Sequence, residues 1–233
     1  MLDIVIAYYQ HQKYWPRVLR GLEENLPQIN NVYVVNDDIW DTIPESGRLG
    51  SRLNFLGHPH SGFGLSKSLN QGLRAATAEY VLLCEGDEYL VPNSILESLS
   101  YAHPTHLVCC RKNYVSQIDY DEVIEFDHRR EYITVHKKLA NPWYFCSGGH
   151  LLVHRENAIS VGFDEEYEYG LHDFDFAVRW LTRFGRGSVV YGGGVIHHIG
   201  SGKNRPLPSV SSYRRLGSAI SKYHETYRSE DNK

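Results

Sequence analysis

Residues 3–38 open with Asp3-Ile4-Val5-Ile6-Ala7, continue through residues 14–26, and end in Val32-Tyr33-Val34-Val35-Asn36-Asp37-Asp38. The first and last runs are short, apolar and rich in β-branched residues, which reads as two buried strands. Between them Trp15, Val18, Leu19, Leu22 and Leu26 recur at helical spacing, and Pro16 suits a first helical turn. Strand–helix–strand in this order starts a parallel α/β sheet.

Outward from that unit, the same reading covers the chain. Residues 39–63 are rich in Gly, Pro, Ser and His, so loop is expected there, with a short strand near 53–56. Leu65, Leu69 and Leu73 lie one turn apart and predict a helix over 65–76. The apolar run 80–84 predicts a strand that stops at Glu85-Gly86-Asp87-Glu88. A helix is expected over 92–100, and strands over 107–110 and 151–154. Residues 111–145 mix charges and aromatics and read as short strands with a mobile loop. A helix is expected over 173–184, and two separate strands over 189–190 and 195–197. A last helix over 213–227 follows from Tyr213, Leu216, Ile220, Tyr223 and Tyr227. Residues 201–212, with Lys203 and Arg205, read as a flexible basic loop.

The chain has 233 residues, enough to bury a sizeable core. Its formal net charge of -4 disfavours a strongly basic nucleic-acid binder. The hydrophobic fraction of 42% and charged fraction of 22% are globular, not disordered. No apolar run approaches the roughly 18 residues of a membrane span. The start MLDIVIAYYQ has an acid and no basic region, so it does not read as a signal peptide. Cys84, Cys109, Cys110 and Cys146 form no CxxC pair, and free thiols in a cytoplasmic, reducing compartment are expected.

Three polar clusters sit where strands end: Asn36-Asp37-Asp38, Glu85-Gly86-Asp87-Glu88 and His197-His198. In an open parallel sheet, ligands bind outside the carboxyl ends of the strands. Acids after a strand also cap helices, the plainer role for any one of them. Gly86 permits a tight turn or a close ligand approach. Two carboxylates and an imidazole make a site for Mn²⁺ or Mg²⁺, which would neutralise a diphosphate. Strand alternation points His197 and His198 opposite ways, so at most one reaches such an ion. In Gly162-Phe163-Asp164-Glu165 … His172-Asp173-Phe174-Asp175, Asp173 falls near a helix start. A carboxylate there caps the helix or, in a cleft, takes a proton from an attacking hydroxyl.

The order of these motifs resembles the family 2 glycosyltransferases of GT-A fold. The resemblance rests on Ala7-Tyr8-Tyr9, Val34-Val35-Asn36-Asp37-Asp38, Gly64-Leu65-Ser66-Lys67 through Gly72, and residues 79–90. It continues through Ser147-Gly148-Gly149, Gly162-Phe163-Asp164-Glu165, His172-Asp173-Phe174-Asp175 and His197, over roughly residues 1–200. It implies an α/β fold, a mostly parallel central sheet flanked by helices, in a single domain. Residues 1–100 would be the nucleotide-binding half, 101–200 the acceptor and catalytic half, and 201–233 a flexible loop and C-terminal helix.

The resemblance also implies roles. Ala7, Tyr9, Asp37, Lys67 and Glu85 would bind the nucleotide of a nucleoside-diphosphate sugar, with a UDP-sugar favoured. Asp87, with His197 or His198, would hold Mn²⁺ or Mg²⁺. Asp173 would be the general base of an inverting transfer to a glycan or other hydroxyl acceptor. Trp143, Gly148, Gly149 and His172 would line the acceptor side. Two positions depart from the family pattern: Glu85 replaces Asp in the acid-x-acid motif, and His172 replaces Glu before Asp173. These departures keep a non-catalytic sugar-nucleotide or glycan-binding module open as an alternative. A nucleotidyltransferase is the other; it would carry a Gly-rich basic phosphate loop where Tyr8-Tyr9-Gln10-His11 stands.

Overall fold

Every residue of the first strand, β1 (Leu2–Tyr8), is buried, as its unbroken apolar run requires of a central strand. The computed structural model describes residues 1–36, 45–57, 64–115, 146, 150–167, 170–199 and 208–228. After β1 come α1 (Trp15–Glu24), β2 (Ile29–Asn36), β3 (Leu53–Gly57), α2 (Leu65–Ala75), β4 (Tyr80–Glu85) and β5 (Glu88–Leu90). Then follow α3 (Ser94–Leu99), β6 (Leu107–Val115), β7 (Leu151–His154), α4 (Arg155–Val161) and α5 (His172–Phe184). Strand β8 (Val189–Ile199) and α6 (Val210–Arg228) complete the described strands and α-helices.

The strands form one eight-stranded sheet in the order β3-β2-β1-β4-β7-β6-β8-β5. Pairings β2–β3, β1–β2, β1–β4 and β6–β8 are parallel. Pairings β4–β7, β6–β7 and β5–β8 are antiparallel. Helices cover both faces, so alternate residues of each inner strand enter different cores. Val5 and Ala7 of β1 join Leu65, Leu69 and Leu73 of α2, Phe176 and Trp180 of α5, and Tyr223 and Tyr227 of α6. Leu2, Ile4, Ile6 and Tyr8 join Trp15, Val18 and Leu22 of α1 and Ile95 of α3. At Gly72 a Cβ would stand 2.2 Å from Val5 Cγ1, so α2 lies directly against β1.

The structure revises several expected elements. Two strands were expected over 189–190 and 195–197, but β8 is continuous through Gly192-Gly193-Gly194. Gly193 and Gly194 let α3 pack onto the strand: a Cβ on Gly193 would fall 3.0 Å from Ser98 Oγ and one on Gly194 2.1 Å from Ser94 O, and the Gly194 N–H donates to Ser98 Oγ at 3.0 Å. Strand β6 runs five residues past Cys110, because charged Arg111 and Lys112 still pair with β8. Helix α3 begins at Ser94, after Asn93 in the left-handed region, rather than at Pro92. Strand β5 and helix α4 carry too few residues for a periodicity signal and were not anticipated. Helix α6 starts at Val210, inside the stretch 201–212 read as loop. Residues 201–207 and 116–145 lie outside the described residues.

Candidate functional site

The carboxyl ends of β1 and β4 lie side by side, with Ala7 level with Glu85. Beyond Glu85 the chain turns at once into β5. The Gly86 N–H donates to Ala7 O at 3.0 Å, and the Ile199 N–H donates to Asp87 O at 2.8 Å. A Cβ on Gly86 would sit 2.5 Å from His11 Nδ1, so the turn has no room for a side chain there. The Glu85 N–H donates to Glu88 Oε2 at 3.0 Å, closing the turn on its own fourth residue.

This turn brings Glu85 and Asp87 to His198 at the end of β8. His198 Nε2 lies 3.8 Å from Glu85 Oε2 and 3.6 Å from Asp87 Oδ2. One ligand atom from each of the three residues lies within 4.8 Å of the others, and all three are buried. Two carboxylates and an imidazole so arranged suit a divalent cation of the Mn²⁺ or Mg²⁺ kind. The choice between the adjacent histidines follows from sheet register. His198 is level with Glu88 on β5, while His197 is level with Tyr89 and its ring stands 5.8 Å from the Tyr89 ring. Burial lowers the His197 pKa.

A second group lies next to the first and takes in His150, which from the sequence flanks the Ser147-Gly148-Gly149 turn and reads as an acceptor-side wall with Trp143 or as a surface histidine. Cys84, Glu88 and His150 are buried with one ligand atom each within 4.8 Å of the others. Lys112 Nζ lies 2.6 Å from Glu88 Oε1. Burial pushes the Glu88 carboxyl up to about 7, against the opposing pull of Lys112. Burial, then the Lys112 charge, holds the His150 imidazole well below its usual value. Burial and the Glu88 charge raise the Cys84 thiol. Glu88 was visible as the fourth residue of the acidic cluster. Lys112 carried no signal, being one charge among many in a segment without periodicity.

The other expected site residues fall in several places. Tyr9 follows β1 and is partly buried; Lys67 is partly buried in the first turn of α2. His172 and Asp173 open α5 and are both buried. The Phe174 N–H donates to Asp173 Oδ1 at 2.9 Å. Helix α5 is entered through Gly170 and Leu171, both at positive φ, a conformation a leucine adopts at a cost. Asp175 is engaged by Arg179 Nε at 2.8 Å, and Arg179 also donates to Val161 O. Burial raises the Asp175 carboxyl, against the pull of Arg179. Asn70 of α2 ties down the segment before α5. Its Nδ2 donates to Phe163 O, and its Oδ1 accepts the Phe163 N–H, both at 2.9 Å. Asp37, Trp143, Ser147, Gly148, Gly149, Lys203 and Arg205 lie outside the described residues.

A mixed sheet with helices on both faces and an acid-Gly-acid turn at the carboxyl end of its fourth strand defines the GT-A class of sugar-nucleotide enzymes. The chain matches the profile of glycosyl transferase family 2 over residues 3–162, well over half its length. It belongs to that family and is a glycosyltransferase. Among solved structures, S. aureus TarS residues 1–349 in complex with UDP is similar at TM-score 0.65 and 14% identity. That match covers 96% of this chain and 71% of the other. The same fragment in complex with UDP-GlcNAc is similar at TM-score 0.68 and 15% identity, covering 95% of this chain and 66% of the other. Against the longer S. aureus TarS structure the TM-score is 0.61 at 15% identity, and the chain spans 44% of it. No curated protein matches. Among the described residues, no helix is long and apolar enough to cross a membrane.

Proposed function

We propose that this glycosyltransferase uses a UDP-sugar, requires Mn²⁺ or Mg²⁺, and transfers the sugar with inversion to a hydroxyl of a glycan or other acceptor. The observation that carries this reading is the convergence of Glu85, Asp87 and His198 beyond the carboxyl end of β4 in a family 2 chain. The uridine assignment draws on the UDP and UDP-GlcNAc complexes of the structurally similar S. aureus TarS. Asp87 and His198 would hold the cation, with Glu85 toward the nucleotide. Bound there, the cation would offset the negative charge gathering on the leaving diphosphate. Ala7, Tyr9, Asp37 and Lys67 would bind the nucleotide. His172, with Trp143, Gly148 and Gly149, would face the acceptor.

Asp173 is the proposed base. It is fixed by the first turn of α5, and its position leaves Asp175 to the Arg179 pair. Its carboxylate would take the acceptor hydroxyl proton as the oxygen attacks the sugar carbon, which needs no help from Asp173 in holding the donor. Asp173→Asn is near-isosteric and cannot take that proton. Transfer from UDP-GlcNAc to a hydroxyl-bearing glycan, followed as UDP release with Mn²⁺, should fall by roughly 10²–10⁴-fold. The dissociation constant for UDP, measured by calorimetry, should stay within about twofold of the parent, the pattern of a lost transition-state interaction. Parental turnover in this variant would remove Asp173 as the base.

A further inference from the structure

The sheet buries an ion pair beside the Glu85, Asp87 and His198 group, and the chemistry above does not use it. The side chains of Lys112 and Glu88 are 8% and 0% exposed, with Nζ and Oε1 2.6 Å apart. A buried pair of this kind adds little net stability over apolar residues of the same size, while loss of one partner alone is costly. Its place in the fold points to another role. Lys112 is level with Ile196 across β6–β8, and Glu88 is level with His198 across β5–β8. Ile196 and His198 are two apart on β8, so all four residues stand on one face of the sheet. Lys112 thus reaches, across β8, the strand that starts as the acidic turn ends.

The two oxygens of Glu88 do different things. Oε1 meets the Lys112 ammonium, and Oε2 accepts the backbone N–H of Glu85. The ammonium fixes the carboxylate, and the carboxylate fixes the first residue of the turn. Ile199 of β8 fixes the other side through the carbonyl of Asp87. The backbone on both sides of Gly86 is therefore anchored to the strand pair that carries His198.

We propose that Lys112 and Glu88 are positioning residues for divalent-cation binding, locking the Glu85-Gly86-Asp87 turn so that its carboxylates converge with His198. The proposal rests on the cation reading of that group. Cys84, Glu88 and His150 also offer a donor set, but the Lys112 ammonium already supplies positive charge there. The second group is therefore a support for the first and not a second cation centre.

The test is Mn²⁺ binding in the presence of UDP, followed by electron paramagnetic resonance, which reads affinity and stoichiometry without turnover. Lys112→Met leaves Glu88 without its ion-pair partner, so the double variant Glu88→Leu/Lys112→Met, which removes both charges and the acceptor of the Glu85 N–H together, is the one to measure first. It should keep the parental circular dichroism spectrum, and Mn²⁺ is titrated at saturating UDP so that a change in nucleotide affinity stays out of the reading. Its Mn²⁺ affinity should fall by about 10- to 100-fold, the usual effect of losing a partner that orients a ligand. The single variant Lys112→Arg, which keeps Glu88 and the ion pair, should bind Mn²⁺ within a few-fold of the parent. A folded double variant with parental Mn²⁺ affinity overturns the proposal. So does a parent that binds two Mn²⁺ per chain and loses one of them on His150→Asn. If the parent binds no Mn²⁺ with UDP, the cation reading itself fails, an outcome distinct from parental affinity in the variant.

Discussion

Asp3 and Asp87 are both buried carboxylates, 0% and 2% exposed, at opposite ends of the same sheet. Their surroundings differ in kind. Asp3 is level with Val81 near the start of β4, and its oxygens are met by the chain itself. Oδ1 accepts from Asn30 Nδ2 and the Asn31 N–H, both at 3.0 Å. Oδ2 accepts from the N–H groups of Thr77 and Ala78 at 2.6 and 2.8 Å. Asp87, past the far end of β4, stands 3.6 Å from an imidazole that is also 3.8 Å from Glu85. Those separations exceed hydrogen-bond distance and leave room for an ion to draw the three groups together. Donors placed by the backbone make a carboxylate a joint between loops. Several donor atoms converging at somewhat longer range are the arrangement that supports the proposed ligand role of Asp87.

Exchanging each acid for its amide should separate the two roles. The largest effect is expected at Asp87. A neutral amide is a far poorer ligand for a hard cation. Asp87→Asn should weaken Mn²⁺ binding in the presence of UDP by more than about 100-fold, since losing a mere supporting partner already costs about 10- to 100-fold. Its urea midpoint should stay close to the parent's. Parental Mn²⁺ affinity in this variant would place the cation elsewhere and erase the contrast with Asp3.

Asp3→Asn should do the reverse. The amide keeps one acceptor oxygen but turns an NH₂ toward two N–H donors, at Asn30 and Asn31 or at Thr77 and Ala78. Leaving buried donors unsatisfied costs about 1–3 kcal/mol each, so for two donors a loss of about 2–6 kcal/mol by urea unfolding is expected, with Mn²⁺ affinity unchanged. A stable Asp3→Asn variant with impaired Mn²⁺ binding would show that the two ends of the sheet are coupled.

The same contrast explains what the sequence made legible. Strands β1, β2 and β4 and helices α1 and α2 could be read because a parallel sheet covered on both faces demands continuous apolar runs, and its helices one apolar stripe. The acids of residues 85–88 stood out because they interrupt such a run. Selection of His198 over His197 could not be read: it depends on β5, three residues long, pairing with a strand about a hundred residues away. Lys112 was hidden for a related reason. A charge inside a strand reads as the strand's end, and only the β6–β8 register shows that pairing continues to Val115. The gap expected between the strands over 189–190 and 195–197 holds helix packing instead, since Gly193 and Gly194 admit α3. The structural role of Asp3 was hidden because its donors come from two separate segments, residues 30–31 and 77–78.

The smallest expected effect sharpens the comparison by pH. His150 is buried at the functional end of the sheet, and its Nε2 has no hydrogen-bond partner among the described residues. Burial, and then the Lys112 charge, depress its pKa well below 6.5. The folded state therefore favours neutral imidazole. The stability this contributes is present above the unfolded value of 6.5 and is lost as pH falls toward the folded pKa. Glu88 works the other way: its carboxyl, pushed up to about 7, contributes stability that is full below 4.5 and lost as pH rises through the folded value. The two trends oppose each other in the parent, so a single curve of stability against pH does not isolate either. The difference between parent and His150→Asn does, because Glu88 is present in both. Asn suits the left-handed backbone at this position, where φ is +56°. Between about pH 6.5 and 5.5 the parent should lose up to about 1.4 kcal/mol more than the variant, the limit for one proton per molecule. Urea unfolding at the two pH values measures it. Parallel stability curves for the two chains would show that His150 takes up its proton as readily in the folded chain as in the unfolded one, and would remove it from the buried support around Glu88.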